Sequence, residues 1–469
     1  MNIKFIFFAC FLLFSTYVFG QDVKLWNSII GSAFLNNQSY VTLEKICDEA
    51  GGRLLGSPQN EKAMNILKEE LGKIGCEAKF EKFNVPGWVR GNDQVIMKSP
   101  TLRKLQGVAL GYVDSTPTFS ANLIYANYGF ESDYSDINAE GKIVLVSQGT
   151  PPGKEALLRY EAIDIAAGYG AKAILFINDE QGTLNLAGTG NFIGKPTKIP
   201  AYSLTYEEGK WMERLLAKNK PVEIELTTKS YCKEVETSNV VVSFKGKVNS
   251  KIVVGAHFDS WDLGQGGVDN GIGSAILFDV ARLLKAYSAD NYYSVDLVWF
   301  NGEELGLWGS KKYTEMHAQD SIIAMINMDM TGSPTGFNVM GFDEFIPFFK
   351  KLASNLNGFN LTSGVVSSPG TNSDHMWFMF KGIPTFSLLA HLDENMYKYY
   401  HERGDTFDKV NKKYLTEASA VVSILVSELA NNKELKYSIR TDHQMVELFK
   451  HYGLDKRLKR QNEWIYKED

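Results

Sequence analysis

The apolar and polar positions near the start of the chain predict a surface helix. Between residues 60 and 74 the apolar positions recur at helical spacing. They are Ala63, Ile66, Leu67, Leu71 and Ile74. Gly75 follows at a position where helices commonly end. We therefore expect a helix whose apolar face packs on a core.

The pattern changes to short β-rich runs between about residues 105 and 230. Examples are KIVLVSQG at 142–149, AKAILFIN at 171–178 and IPAYSL at 199–204. Short apolar runs bounded by polar and glycine-containing segments are typical of buried strands. The simplest interpretation is a mostly β domain inserted into the chain.

After residue 238 apolar strands alternate with amphipathic helices. The strand candidates are VVVSF, KIVVGAH, SVDLVWF, SIIAMINMDM and IPTFSLLAH. A long helix is predicted at 273–287, and a last one at 414–429 would close the domain. Apolar strands between such helices predict an α/β fold with a doubly wound sheet that is covered on both faces.

These patterns divide the chain into a discontinuous main domain and an insertion. We assign residues 44–104 and 231–430 to the main domain and 105–230 to the inserted domain. Residues 431–469 are charged and lack a comparable apolar run, so we interpret them as a peripheral C-terminal extension.

The N-terminus has the layout of a signal peptide. Lys4 precedes an apolar run from Phe5 to Phe14, and Val18 and Gly20 are small enough for a cleavage site after residue 20. The run is shorter than a membrane span requires. We therefore predict a secreted or extracytoplasmic protein with no membrane anchor once residues 1–20 are removed. Residues 21–43 are a candidate propeptide.

Composition limits the classes of partner and metal site that the chain could have. The 469 residues carry a formal net charge of −6 and no long basic run, which argues against nucleic acid or anionic lipid as a partner. Outside the signal segment the cysteines are Cys47, Cys76 and Cys232, which indicate neither a disulfide framework nor a cysteine zinc site. One bridge plus a free thiol remains open. A small molecule or peptide is the expected partner.

Acidic residues and a histidine follow three of the predicted strands. His257 ends KIVVGAH, Glu303 and Glu304 follow SVDLVWF, and Asp329 follows SIIAMINM. In open α/β sheets the site lies beyond the carboxyl ends of the strands. We therefore expect these side chains at one edge of the sheet. The loop GQGGVDNGIGS adds Asp269 within glycine-rich backbone.

This set of side chains suits a pair of zinc ions. Zinc takes imidazole and carboxylate ligands, and paired catalytic zinc ions need a shared carboxylate and separate His/acid sets. The fifth ligand should be a histidine near the end of the domain. His401, in YYHERGDTFD, is the best candidate.

The ordered set His257-x-Asp259, Asp269-Asn270, Glu303-Glu304, Asp329 and His401 resembles metallopeptidase family twenty-eight. The segments HFDSWDLGQGGVDNG, GTNSDHMWF and LDENMYKYYHERGDT resemble most the branch that contains the carboxypeptidase Q enzymes. The resemblance extends from about residue 45 to 430. It implies a di-zinc exopeptidase, acting as a dipeptidase or carboxypeptidase on short unblocked peptides.

The resemblance also implies roles for single residues. Asp269 would bridge two Zn²⁺ ions, with His257 and Asp329 on one ion and Glu304 and His401 on the other. Glu303 would be the general base that takes a proton from a metal-activated water. Asp259 would accept the free ring N–H of His257, and Asp405 would do the same for His401. The branch further implies a homodimer and a propeptide.

The inserted segment is similar to a protease-associated domain. The resemblance is carried by GKIVLVSQG, AAGYGAKAILFIN and IPAYSLT. Such a domain would shape the cleft or restrict access to it. We assign it no chemistry.

Several residues have two open interpretations. His375, His391 and Asp374 could line the cleft or be structural, and Trp261 could wall the pocket or anchor its loop. His317, His443 and His451 are expected at the surface. The carboxypeptidase Q branch tends to have an acid where this chain has Asn270, which puts substrate preference in question.

Competing functions are an aminopeptidase of the same family, a glutaminyl cyclase-like acyltransferase with a single zinc, and a receptor-like protein without a metal site. Receptor-like relatives have lost ligands, whereas all five ligand positions and Glu303 are present here. A metal count would separate the cyclase from the peptidases.

Overall fold

The structure is a computed structural model that describes residues 23–287 and 290–467. The predicted signal segment, residues 1–20, lies outside the described residues. The helices are α1 (residues 23–36), α2 (Ser39–Glu49), α3 (Pro58–Lys73), α4 (Arg159–Gly168), α5 (Tyr206–Ala217), α6 (Ile272–Tyr287), α7 (Trp308–Met316), α8 (Ile346–Asn355), α9 (His375–Met379), α10 (Glu394–Lys398), α11 (Lys412–Asn431), α12 (Asp442–His451) and α13 (Leu454–Arg460).

The main domain is built on an eight-stranded mixed sheet. In spatial order its strands are β1 (Ala78–Val89), β10 (Tyr231–Phe244), β12 (Tyr293–Phe300), β11 (Val248–His257), β13 (Ile322–Asn327), β16 (Thr385–His391), β14 (Ser333–Asn338) and β15 (Gly364–Val366). The four central strands β12, β11, β13 and β16 are parallel, and β1 and β10 extend the sheet with antiparallel pairing.

Both faces of this sheet are covered, as the sequence predicted. Along β11, Ile252 and Val254 pack into the large core with α2, α6 and α11. Val253, between them, packs on the opposite face with Tyr313 and Phe378 from the α7 and α9 region. Successive strand residues point to opposite faces, so the uninterrupted apolar runs correspond to a sheet buried on both sides.

The predicted early helix is α3. Ser57 caps its N-terminus by accepting a hydrogen bond from the Asn60 amide, and Pro58 occupies the first turn. Gly75 follows the helix with φ +77°, a conformation that glycine adopts without strain. The helix and its end are therefore as predicted.

The inserted domain has its own eight-stranded sheet. In spatial order the strands are β3 (Arg103–Leu105), β2 (Gln94–Ser99), β9 (Glu223–Thr228), β5 (Thr116–Tyr125), β6 (Ile143–Ser147), β7 (Ala173–Ile177), β8 (Ala201–Leu204) and β4 (Gly107–Ala109). Because β2 pairs with β9, this sheet begins at Gln94 rather than at the predicted boundary of residue 105. The segments quoted above form β6, β7 and β8.

The C-terminal extension is more integrated than its charge suggests. Met445, Phe449, Leu458 and Tyr466 are buried in the core of the main domain. The helices α12 and α13 carry only a few apolar positions each, so they lack the long apolar run by which the sequence marks α6 and α11. The interpretation of this segment as peripheral is wrong.

The N-terminal segment also packs on the core. Trp26, Ile29 and Ala33 of α1 are buried there, and the predicted boundary at residue 43 falls inside α2. Cys47, Cys76 and Cys232 are all unbridged. In the described part of the chain no helix combines the length and the apolar character that crossing a bilayer requires.

Candidate metal centre

Three neighbouring parallel strands deliver the predicted site residues to one edge of the sheet. His257 is the last residue of β11, which lies between β12 and β13. Gly302, with φ +91°, turns the chain after β12 so that Glu303 and Glu304 follow. Asp329 comes two residues after β13 ends at Asn327. The carboxyl ends of these strands therefore form the base of the site.

Five of the predicted residues form two groups of potential metal ligands that share Asp269. In the first group His257 Nε2 lies 3.2 Å from Asp269 Oδ1 and 3.4 Å from Asp329 Oδ1. In the second, His401 Nε2 lies 3.1 Å from Asp269 Oδ2 and 3.0 Å from Glu304 Oε2. Each oxygen of the Asp269 carboxylate thus belongs to a different group.

The donor set fits zinc. Tetrahedral zinc with bonds of about 2.0–2.1 Å to imidazole nitrogen and carboxylate oxygen places neighbouring donors roughly 3.3 Å apart, close to the separations found here. The second carboxylate oxygen of Glu304 is buried without a hydrogen-bond partner. A bound cation would satisfy such an oxygen, which is otherwise costly to bury.

The charges in the site also favour a cation. Burial disfavours the charged form of Asp269, but hydrogen bonds from His257 and His401 outweigh this effect and lower its pKa. Burial raises the pKa of Glu304 to about 7 and that of Glu303 well above its ordinary range. The nearby carboxylates add to the shift of Glu303, since like charges resist being placed together.

Asp259 supports the site differently from the prediction. The ring Nδ1 of His257 lies 3.1 Å from the backbone carbonyl of Asp259, whereas the Asp259 carboxylate is 3.8 Å away. That carboxylate instead accepts hydrogen bonds from the amides of Glu303 and Glu304, at 3.1 and 3.3 Å. Asp259 therefore positions the loop after β12 rather than acting chiefly on the imidazole.

Asp405 was also expected to hold a histidine, and this prediction is wrong. Its carboxylate accepts hydrogen bonds from the amides of Val268 and Asp269, at 2.7 and 3.1 Å. The loop that carries Asp269 turns its amides toward Asp405, and among the described residues no hydrogen bond joins this carboxylate to His401. Asp405 therefore supports the segment that carries Asp269, which in turn contacts His401.

Arg53 is a supporting residue that the sequence did not reveal. It is fully buried, and its guanidinium donates to the carbonyls of Phe258, Gln265 and Gly266. These carbonyls flank the segments that carry His257 and Asp269. A single arginine in a glycine-containing stretch has no periodic signature, so only the fold exposes its role.

Asn270 is used within its own loop. Its amide donates to the Met328 carbonyl at 2.8 Å, and its oxygen accepts from the amides of Gly273 and Met330. An aspartate could not make the donated bond. The residue that put substrate preference in question is therefore buried in a structural role.

A cleft of about 510 Å³ opens onto the site between three parts of the chain. The main domain contributes Trp261, Glu303 and His401, the inserted domain contributes α4 and the loop around Gly188, and the C-terminal extension contributes residues near 460. Trp261 lies with its ring centre 5.9 Å from that of His401. It therefore walls the pocket.

The structure shows the surroundings of the other residues whose roles the sequence left open. His375 is buried, with Nε2 2.9 Å from the Gly370 carbonyl and Nδ1 3.4 Å from the Asn327 amide, which is a structural arrangement. His391 is exposed and lies 3.4 Å from Asp393. Asp374 is buried near Glu303, and its negative charge raises the pKa of Glu303. His317, expected at the surface, is half-buried between Glu81 and Asp320.

Tyr400 is a cleft residue that the sequence analysis did not single out. Its ring stacks on His401 with centroids 3.7 Å apart, and it lines the cleft. The side chain is 37% exposed, but the protein around its hydroxyl and the carboxylates of Asp269 and Glu304 raise the pKa of that hydroxyl well above the usual value, so the hydroxyl keeps its proton. Its neighbour His401 adopts φ +56°, a conformation uncommon outside glycine.

Two family models match this chain. Residues 239–426 match the model of Peptidase family M28, and residues 114–212 match that of the PA domain. Carboxypeptidase Q of Bos taurus is 28% identical over 415 residues, which cover 85% of this chain and 86% of that protein.

Two solved structures share the fold. A Peptidase M28 precursor from Shewanella amazonensis has a TM-score of 0.77 at 23% identity and covers 90% of this chain and 99% of that one. BSAP, a zinc aminopeptidase from Bacillus subtilis, has a TM-score of 0.68 at 25% identity and covers 86% of this chain and 96% of that one. The predicted family resemblance, the α/β fold and the inserted domain are confirmed.

Proposed function

We propose that this chain, a metallopeptidase with a family M28 domain and an inserted PA domain, is a di-zinc exopeptidase that hydrolyses dipeptides or short unblocked peptides. The observation that carries the proposal is the shared position of Asp269. Its two carboxylate oxygens lie 3.2 and 3.1 Å from the Nε2 atoms of His257 and His401. A single carboxylate between two His/acid sets is the arrangement that a pair of metal ions needs.

The two groups of side chains support an assignment of ligands to each ion. His257, Asp329 and Asp269 would hold one zinc, and Glu304, His401 and Asp269 would hold the other. Bound zinc would polarise the scissile carbonyl and lower the pKa of the attacking water toward about 7. Relatives that include a zinc aminopeptidase support zinc as the metal.

Glu303 supplies the proton transfers. It lines the cleft beside both groups without belonging to either. In the proposed reaction its carboxylate takes the proton from the attacking water and passes it to the nitrogen of the leaving amine. Its amide is anchored on Asp259, which holds the loop and fixes the position of this carboxylate.

Tyr400 offers a second polar group to the substrate. Its hydroxyl is protonated at neutral pH and lines the same cleft as Glu303. A neutral hydroxyl can donate a hydrogen bond to the carbonyl oxygen as negative charge develops there. We assign this role to Tyr400.

The shape of the cleft supports exopeptidase action on short substrates. The inserted domain and the C-terminal extension close two of its sides, and its volume of about 510 Å³ suits a ligand of a few residues. We also propose export through residues 1–20 and, following the resemblance, a homodimer.

An aminopeptidase is the nearest alternative. The solved BSAP structure bears that description, and Asp179 and Glu463 place carboxylates in the cleft wall that could receive a free amino group. The two modes differ in which end of the peptide must be free.

Substrate mapping tests the proposal. Zinc-loaded protein is incubated with matched dipeptides and tetrapeptides whose ends are free, amino-blocked or carboxyl-blocked, and the products are identified by mass spectrometry. We expect cleavage of dipeptides with both ends free and little cleavage of blocked ones. Stepwise loss from the amino end of tetrapeptides would establish the aminopeptidase instead. No cleavage, with zinc bound, would refute both.

A further inference from the structure

Gln461 is a buried amide side chain in the wall of the cleft whose oxygen has no hydrogen-bond partner. It caps the C-terminal end of α13, in the C-terminal extension, and it lines the same cleft as Glu303 and His401. The residue is only 3% exposed, and among the described residues nothing donates to its Oε1 atom. A buried acceptor without a donor is costly. The oxygen therefore favours a ligand group that brings a donor into this part of the cleft.

Glu463 adds a carboxylate to the same wall. In the described part of the chain no hydrogen bond or ion pair includes its side chain. Burial raises its pKa to about 7, and the charges of Arg457 and Lys311 oppose this shift without cancelling it. Lys311 lies over the rings of Trp308 and Trp377, 5.4 and 4.7 Å from their centres. A cation supplied by a ligand would stabilise the charged form of Glu463.

The segment that carries both acceptors is anchored on two sides. On one side Arg460 donates to the Glu161 carboxylate at 2.7 and 2.9 Å and to the Ala156 carbonyl at 2.9 Å, both in the inserted domain. On the other side Tyr466 is buried in the core of the main domain, and its hydroxyl donates to the Phe380 carbonyl at 3.2 Å. The acceptors are therefore presented on a fixed backbone, as a binding site requires.

The cations of the cleft wall do not meet these acceptors. Arg457 is exposed, and Arg159 donates to the Ala187 carbonyl at 3.3 Å. Neither arginine forms a hydrogen bond with Gln461 or Glu463 in the part of the chain that the structure describes. An amide oxygen and a carboxylate without donors favour a ligand group that carries positive charge and several N–H donors, as an ammonium group does.

We propose that Gln461 and Glu463 form a subsite for the cationic side chain of a peptide substrate, so that the C-terminal extension gives the enzyme a preference for lysine-containing dipeptides. This inference rests on the proposed peptidase function. One cleft of about 510 Å³ contains both the metal centre and this wall, so a long side chain of a peptide bound at the metal centre is the group that reaches it. A free α-amino group carries the same chemistry, and peptides that differ only in the side chain distinguish the two sources.

The test compares lysine peptides with norleucine peptides, whose side chain has nearly the same length but no ammonium group. The matched pairs are Lys-Ala with norleucyl-Ala, and Ala-Lys with Ala-norleucine. We expect wild type to have the higher kcat/KM for the lysine peptide of at least one pair, and Glu463→Gln to reduce that lysine-to-norleucine ratio about tenfold. Gln461→Met, which keeps the size but removes the acceptor, should reduce the ratio about threefold. Glu447→Gln, at an exposed position of the same extension outside the cleft, is the matched control and should leave the ratio unchanged.

An equal loss for lysine and norleucine peptides in Glu463→Gln would mean that Glu463 binds the free amino end or supports the fold, and it would overturn the inference. An unchanged ratio in this variant would also overturn it. So would a wild-type enzyme that shows no preference for lysine in either pair.

Calorimetric titration of zinc-loaded protein with the same peptides separates this inference from the proposed function. If wild type cleaves none of them, the peptidase proposal fails. The lysine peptide of one pair should still bind wild type about tenfold more tightly than its norleucine counterpart, and Glu463→Gln should lose this difference. Equal affinities within both pairs, or no binding of any of the peptides, would overturn the subsite irrespective of catalysis.

Discussion

One carboxylate oxygen of Asp405 accepts a hydrogen bond from the backbone amide of Asp269 at 3.1 Å. The other oxygen accepts one from the preceding amide, that of Val268, at 2.7 Å. Asp269 is the residue whose two oxygens lie between His257 and His401. The orientation of the proposed bridging ligand is therefore set by a second carboxylate that touches neither histidine.

This relationship predicts the effect of Asp405→Asn on metal binding. An asparagine can accept only one of the two amide bonds and would turn an NH₂ group toward the other amide. We expect zinc affinity to fall about 10- to 100-fold, as is typical when a partner of a ligand is removed. Competition with a chromogenic chelator measures this. Asp408→Asn, at an exposed position, is the control, and equal affinities for both variants would contradict the role of Asp405.

Glu303→Gln should separate catalysis from metal binding. Glu303 belongs to neither ligand group, so the variant should keep the wild-type zinc content while kcat falls by roughly 10² to 10⁴-fold. Steady-state kinetics with metal analysis on the same sample provides the measurement. Glu304→Gln, by contrast, should lose zinc as well as activity. Near-wild-type turnover by Glu303→Gln would remove it from the mechanism.

The C-terminal extension should be required for stability. Phe449 is fully buried against Phe380 and Tyr466, with ring centroids 5.7 and 6.1 Å away. Phe449→Ala should lower the free energy of unfolding by about 3–5 kcal/mol in denaturant titration. His451→Ala, on the exposed end of the same helix, should change it by less than about 0.5 kcal/mol. A small effect of Phe449→Ala would contradict the prediction that the C-terminal extension stabilises the fold.

His317 should make stability depend on pH. Its hydrogen bond with Glu81 raises its pKa, burial opposes the shift, and Asp320 adds to it. Because the pKa in the folded state exceeds that in the unfolded state, the protonated ring stabilises the fold at low pH, and this contribution is lost as the pH rises through the folded-state value. His317→Gln should therefore cost about 1 kcal/mol more at pH 6 than at pH 9.

Equilibrium unfolding of wild type and variant at the two pH values measures this difference. His443→Gln, whose side chain is 78% exposed, is the matched control. A cost of His317→Gln that is the same at both pH values would contradict the assignment.

The sequence predicted the parts of the site that depend on strand ends. His257, Glu303, Glu304 and Asp329 could be placed because side chains at the carboxyl ends of adjacent parallel strands share one edge of a sheet. The interpretation of single contacts was less successful. Asp259 lies two residues after His257, but the His257 ring lies nearest to its backbone carbonyl. The Asp259 carboxylate instead accepts a hydrogen bond from the Glu303 amide in the loop after β12.

The sequence could not reveal contacts between distant segments. Arg53 and Arg159 have no local pattern, and their partners lie far along the chain, at Gln265 and Ala187 among others. The short helices α12 and α13 bury single aromatic or aliphatic side chains within charged stretches, which hydrophobic periodicity does not detect. These features follow only from the folded arrangement.

Native mass spectrometry of zinc-loaded protein tests the central claim most directly, because it counts the ions held by each chain. The shared position of Asp269 predicts two zinc ions per wild-type chain and at most one in Asp269→Ala, with circular dichroism confirming that the variant is folded. A fully active wild-type chain with one zinc, or a folded Asp269→Ala variant that retains two, would contradict the bridged pair.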